Sequence, residues 1–303
     1  MPRVLTYNGF VSLFEGGAAI KSSRPIKERE ASSTIESINK ILVPLLGGGE
    51  IGKDYLVIGS IGKKKDPEDS SGDIDLGVDQ SFIARSIGAD PNNVLEKIQS
   101  VLSSSLPTAL GFEPEMKLMK GINVLSIGWP IGGDLENGIV QLDIIPLSDM
   151  DWAKFIFYSP DYRKDESKYK SAHRNWLIQA VLSALKEVKT TDENGDVEDF
   201  DAYALRLSDG IFKNSKTFRG VTKRLKNPET IKGKTEFVTR DPQELINMVF
   251  GPGISPDDVS TFEKAWSIVS SPNYIHKDKI DLIKNDLVRY LTNGGYVIPT
   301  EIR

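Results

Sequence analysis

Residues 59–79 read GSIGKKKDPEDSSGDIDLGVD. The stretch follows an apolar run, Tyr55-Leu56-Val57-Ile58, opens with small residues, crosses a hydrophilic loop and ends in an acid–aliphatic alternation, Asp73-Ile74-Asp75-Leu76. In a strand, residues two apart leave the same face, so Asp73 and Asp75 project together while Ile74 and Leu76 enter the core. Two carboxylates held side by side near a core repel unless a positive charge lies between them. A hard divalent cation bound through oxygen resolves the repulsion. The alternative is a solvated face on an edge strand. Two further features favour the cation. Gly59-Ser60 comes directly after a strand, where free backbone N–H groups and a hydroxyl can hold phosphate oxygens. A third acid, Asp143, sits in Val140-Gln141-Leu142-Asp143-Ile144-Ile145, where an uncompensated carboxylate would be costly.

Composition narrows the chemistry. The 303 residues include no cysteine and only two histidines, His173 and His276. Disulfides, thiol nucleophiles and zinc–thiolate sites are excluded, a multi-histidine site is disfavoured, and metal chemistry has to rest on carboxylates. With 39% hydrophobic and 27% charged residues, the chain has the makeup of a globular protein with a full core. No apolar run approaches the ~18 residues of a membrane helix, and the start lacks the layout of a secretory signal. The expected setting is therefore a reducing one, the cytoplasm, with no membrane partner. A net charge of −5 argues against wholesale coating of nucleic acid but leaves room for local basic patches.

The pattern along the chain predicts an irregular N-terminal arm over 1–30 and a mixed α/β unit over 31–160. A mostly helical unit with a basic hairpin-like insert follows over 161–303. Ser33-Thr34 are placed to cap a helix carrying Ile35, Ile38, Ile41, Leu42 and Leu45, stopped by Gly47-Gly48-Gly49. Strands are expected at 53–58, 73–78, 115–120, 122–127 and 139–145, with Trp129-Pro130 and Pro146 as stops, and a helix from Asp90-Pro91. Beyond 160, a helix is expected over 168–188, hairpin turns at Asn194-Gly195 and Asp209-Gly210, and three helices in the tail. Asp149 and Asp151 are read as turn and helix-cap residues, and Trp129, Trp152 and Trp176 as core.

Other phosphate motifs fail on context. Gly47-Gly-Gly-Glu-Ile-Gly52 matches G-x-G-x-x-G, but it has a helix before it and a strand after it, the reverse of what a dinucleotide fold needs. Gly62-Lys63 lacks the earlier glycine of a P-loop and has Lys64 where Ser or Thr belongs. No G-x-S-x-G elbow exists.

Taken together, Val57-Ile58-Gly59-Ser60, a twelve-residue spacer (61–72), Asp73-Ile74-Asp75-Leu76 and the later Asp143 resemble the nucleotidyltransferase fold of the DNA polymerase β superfamily. The variant Gly72-Asp-Ile-Asp-Leu76, with Asp151-Trp-Ala-Lys-Phe155 and Ser167-Lys-Tyr-Lys170, looks most like uncharacterised phage-encoded members. The resemblance covers about residues 35–175. It implies an α+β protein: a small mixed-sheet catalytic domain followed by a mostly helical one. It further implies two Mg²⁺ (or Mn²⁺) ions held by Asp73, Asp75 and Asp143, and transfer of a nucleoside monophosphate from an NTP to an acceptor hydroxyl. In that scheme Gly59 and Ser60 hold the β and γ phosphates. Lys170 and Arg174, four apart on one helix, touch the triphosphate, and Lys63 reaches it from the loop; solvated lysines and an ordinary helix face are the bland alternatives.

The segment 213–240 carries nine Lys/Arg against two Glu, with Phe218 and Phe237 among the cations, a makeup that suits an RNA or other polynucleotide acceptor. Two other classes stay open: a catalytically idle fold used for binding or structure, for example in a phage particle, and a nucleic-acid binder without chemistry.

Overall fold

The computed structural model describes residues 19–62, 64, 66–121, 123–157, 168–190, 197–219 and 229–302. Their contacts divide at the segment between 157 and 168 into two units, each an α+β assembly with its own sheet.

The first unit starts with β1 (Ile26–Lys27) and α1 (Glu28–Leu45), then β2 (Tyr55–Ile58), β3 (Ser70–Ser71) and β4 (Asp73–Asp79). Next come α2 (Gln80–Ile87), α3 (Val94–Leu110), β5 (Met116–Met119), β6 (Val124–Pro130), β7 (Ile139–Leu147) and α4 (Met150–Phe157). Its five-stranded sheet has the order β2-β4-β7-β6-β5. Only β4 and β7 run parallel; every other neighbour pair is antiparallel. One face is the main core, where Ile74, Leu76, Val78, Leu142 and Ile144 meet Ile38 and Leu42 of α1 and Ile98 and Leu102 of α3. The other face has a small cluster, Leu56, Ile58, Leu147 and Ala153, which reaches the acids at Ile58, the register partner of Asp75.

The arm expected over 1–30 is part of this unit as far as it is described, with 1–18 outside the described residues. Ile20 and Ile26 are buried, and Arg24 N donates to Ile139 O at 2.8 Å. α1 begins before the expected Ser33-Thr34 cap because Glu30 supplies the cap instead. Its carboxylate accepts from Lys27 N at 2.9 Å and pairs with Arg24. Ser33 and Thr34 instead donate their hydroxyls to the carbonyl of Glu30 within the helix. β7 likewise runs through Pro146 to Leu147. The ladder to β6 ends at Ile144, so the missing N–H of Pro146 breaks no bond on that side.

The second unit contains α5 (Ser171–Ala184), β8 (Glu187–Thr190), β9 (Val197–Arg206), β10 (Gly210–Arg219) and β11 (Glu229–Thr239). α6 (Pro242–Val249), α7 (Phe262–Val269) and α8 (Ile280–Asn293) complete it. Helix exceeds strand among its described residues, but the expected hairpin insert is a four-stranded antiparallel sheet, β11-β10-β9-β8, with long strands. The hairpins expected over this stretch are its β8–β9 and β9–β10 pairs; the alternation of polar and aromatic residues, with most of both faces solvated, concealed only the length of the strands and the fourth one. α5 is shorter than the 168–188 pattern and is buried all round, as a central helix must be when other elements cover it on every side. The turn at Asp209-Gly210 has three residues between paired Arg206 and Gly210, rather than two; Asn194-Gly195 lies outside the described residues. Trp129, Trp152 and Trp176 are buried.

Candidate metal centre

Two strand registers build the site. β4 and β7 pair in parallel with Asp75 opposite Asp143 and Asp73 opposite Gln141, and β6 places Ser126 opposite Asp143. Paired residues share a face, so Asp75, Asp143 and Ser126 form one cross-strand row, with Asp73 and Gln141 in the next. One oxygen from each of Asp73, Asp75 and Asp143 lies within 4.8 Å of the others.

Asp143 is the most buried of the three, 8% exposed, and that burial pushes its carboxyl above the ordinary aspartate range. Two neutral donors act against the shift. Ser126 Oγ donates to Asp143 Oδ1 at 2.6 Å, and Gln141 Nε2 donates to Oδ1 and Oδ2 at 3.1 and 3.0 Å. Gln141 has no freedom to turn over. Its Oε1 accepts from the backbone N–H groups of Ala19 and Ile20 at 2.8 and 3.1 Å, so its amide nitrogen must face the acid.

Two glycines shape the approach to the acids. At Gly59, just past β2, φ is +79°, and a Cβ would stand 2.5 Å from Asp75 Oδ2. The turn thus presses backbone against the carboxylate, and only glycine fits. At Gly77 a Cβ would stand 2.3 Å from Leu147 Cδ1, so the missing side chain lets β7 and the small cluster close over β4 beside the acids.

Ser60, next to Gly59, shares a hydrogen bond with Ser71 at 2.9 Å between their hydroxyl oxygens. Lys64 Nζ donates to Ser71 Oγ at 2.9 Å and to Ser70 O, which folds the lysine back onto β3. The loop before β3 is tied to the start of α1 by Glu28 N to Asp69 O (2.8 Å) and by the ion pairs of Lys27 and Arg29 with Glu68. Lys63 lies outside the described residues.

Lys170 and Arg174 belong to the second unit and do not form the expected pair on one helix face. Lys170 is exposed and extended, the cap residue before α5. Arg174 is 2% exposed, burial lowers its guanidinium pKa to about 10, and its Nη2 donates to Asn175 Oδ1 at 3.3 Å. Asp149 caps α4 by accepting from Trp152 N at 2.9 Å, and Asp151 lies in the first turn, paired with Lys154.

Ser126, Gln141 and Gly77 were not among the expected site residues. Ser126 and Gln141 carried a usable signal: Ser126 is the lone polar residue of an apolar, buried strand, and Gln141 shares its apolar, buried strand with Asp143 two residues on.

The donor set suits a hard divalent cation. All three candidate ligands are carboxylates, they converge within the span of one coordination sphere, and one is held ready in a dry setting by neutral donors. Compared with models of protein families, with curated proteins and with solved structures, the chain has no match.

Proposed function

We propose that the first unit is a metal-dependent nucleotidyltransferase of the polymerase β kind, moving a nucleoside monophosphate from an NTP to an acceptor hydroxyl with release of pyrophosphate. The observation that carries the reading is the convergence of Asp73, Asp75 and Asp143 on one sheet face beside the Gly59-Ser60 turn. Asp73, Asp75 and Asp143 are the residues that would hold Mg²⁺ or Mn²⁺, and such ions neutralise phosphate charge and lower the pKa of an attacking hydroxyl. The Gly59 turn and the Ser60 hydroxyl offer donors to the β and γ phosphates. Asp143 is the residue suited to take the proton of the acceptor hydroxyl, because it stands opposite Asp75 and its burial raises its carboxyl above the ordinary aspartate range. Ser126 and Gln141 keep that carboxylate oriented. The acceptor classes consistent with this site are a polynucleotide end, a protein side chain, a small molecule and a second nucleotide.

The test is incubation of the protein with each labelled NTP, Mg²⁺ or Mn²⁺, and RNA or a cell lysate. Transfer or pyrophosphate release that disappears in Asp73→Ala is expected. No transfer by the wild type with any NTP, or equal transfer by the variant, would sink the reading and leave an idle fold used for binding. Mn²⁺ titration followed by electron paramagnetic resonance gives an answer independent of turnover.

A further inference from the structure

The sheet of the second unit has two unlike faces. The strand registers put Glu187, Asp199, Asp201 and Glu236 on one side. There Lys213 meets Asp201 at 2.8 Å, Lys234 pairs with Glu236, and Thr217 Oγ1 donates to Asp199 at 2.7 Å. The opposite side has Phe200, Phe212 and Phe237 with Arg206, Lys216 and Arg240, and the register places one carboxylate there, Glu198, opposite Phe218.

The rings and cations on that side are arranged together. Phe212 and Phe237 are register partners and meet edge to face with centroids 5.6 Å apart. The Arg206 guanidinium lies 3.9 Å above the Phe212 ring, and that of Arg240 lies 5.1 Å from the Phe237 ring. Phe237 is 51% exposed, and residues 233–238 of β11 are exposed on both faces. A phenylalanine this open contributes little to folding, so its place beside two guanidinium groups calls for a use at the surface.

We propose that this face binds single-stranded nucleic acid. Unpaired bases stack on the phenylalanine rings and on the guanidinium planes, while Arg206, Lys216 and Arg240 meet the phosphates. Charge selects the occupant. An apolar protein surface would bury three cations without partners, whereas a polyanion satisfies them and supplies flat π-faces as well. A duplex, with its bases stacked inward, offers no such faces. The inference concerns the second unit alone and holds whether or not the first unit transfers nucleotides.

Fluorescence anisotropy of a labelled oligouridylate of about 20 nucleotides, titrated with the whole protein in EDTA, tests it. Saturable binding that weakens with salt is expected. Phe237→Ala should weaken it by about five- to hundredfold, the scale of one lost stacked base. Phe237→Leu keeps the apolar volume but removes the ring and should lose about as much. Lys216→Glu should weaken binding and flatten its salt dependence, while Lys234→Glu on the opposite face should bind like the wild type. The proposal is overturned by the absence of saturable binding, by duplex RNA binding as tightly as the single strand, or by Phe237 variants that bind normally. It is equally overturned if sedimentation shows self-association that Phe237→Ala abolishes while no oligonucleotide binds.

Discussion

The two sheets of this chain treat carboxylates in opposite ways. In the second unit, Asp199, Asp201 and Glu236 are spread along one sheet face, each matched to a lysine or a threonine hydroxyl in the same sheet. In the first unit, Asp73, Asp75 and Asp143 are aimed at one another, and the groups that hold Asp143 are uncharged. Spread and matched charges are nearly neutral for stability at a surface. Converging carboxylates, one of them buried, oppose folding unless a cation joins them. The difference separates an arrangement that merely tolerates charge from one that has a use for it.

The largest expected effect breaks the first arrangement. Asp75→Ala, like Asp73→Ala, should reduce nucleotide transfer by about 10²–10³-fold or more, with the fold intact by circular dichroism. A variant retaining near-normal turnover would mean that the cluster is not the centre of the chemistry.

Second in size are the two glycines. Gly77→Ala drives a methyl group into Leu147 and should cost about 1–3 kcal/mol in urea unfolding. Gly59→Ala adds the strain of a positive φ, about 1–2 kcal/mol, and displaces the Asp75 carboxylate, so Mn²⁺ affinity should fall as well. Loss of stability without loss of Mn²⁺ affinity at Gly59 would separate the turn from the site.

Third is the titration of Asp143. Its carboxyl is raised in the folded state, mainly by burial, so the metal-free fold holds this proton more tightly than the unfolded chain does. The stabilisation is complete below the ordinary carboxylate range and is lost as pH rises through the folded value. Cation affinity runs the other way, rising over the same interval as the carboxylate forms. Gln141→Leu removes a donor to that carboxylate and should move the midpoint of Mn²⁺ binding to higher pH; an unmoved midpoint would exclude Gln141 from the site. Asp143→Asn should raise the metal-free melting temperature by a few degrees, on the order of 1 kcal/mol, while weakening Mn²⁺ binding.

The smallest effect is expected on the second sheet. Lys213→Ala removes a half-exposed pair with Asp201 and should change stability by less than about 1 kcal/mol. A loss several times larger would show that this face, too, holds charge under constraint.

Much of the first unit was legible in the sequence because its strands are short apolar runs bounded by glycine and proline. Asp73, Asp75 and Asp143 stood out as acids in aliphatic frames. What escaped were groups whose role depends on a neighbour strand. Ser126 is one hydroxyl in an apolar strand until β6 pairs with β7, and Gln141 is one amide until the Ala19-Ile20 backbone fixes its direction. The second sheet was legible only as hairpins, and its extent escaped for another reason: with both faces partly wet, its strands lack the apolar period that marks a core. The Lys170–Arg174 spacing misled because it assumed a helix already under way from Lys168, whereas the helix proper begins at Ser171 and Lys170 is its extended cap residue.

By itself the sequence determined that Asp73 and Asp75 leave one face of a strand, that Asp143 is an acid among aliphatic residues, and that Gly59-Ser60 closes a preceding strand. These are local consequences of a two-residue period and of glycine's conformational range. Only the tertiary structure decided that Asp143 stands opposite Asp75 rather than one residue away. It also decided that Gln141 presents its N–H to that acid, and that the second sheet brings Phe212, Phe237, Arg206 and Arg240 together on one face. Register is set by packing between distant segments, and a slip of one residue would turn each of these side chains to the wrong face.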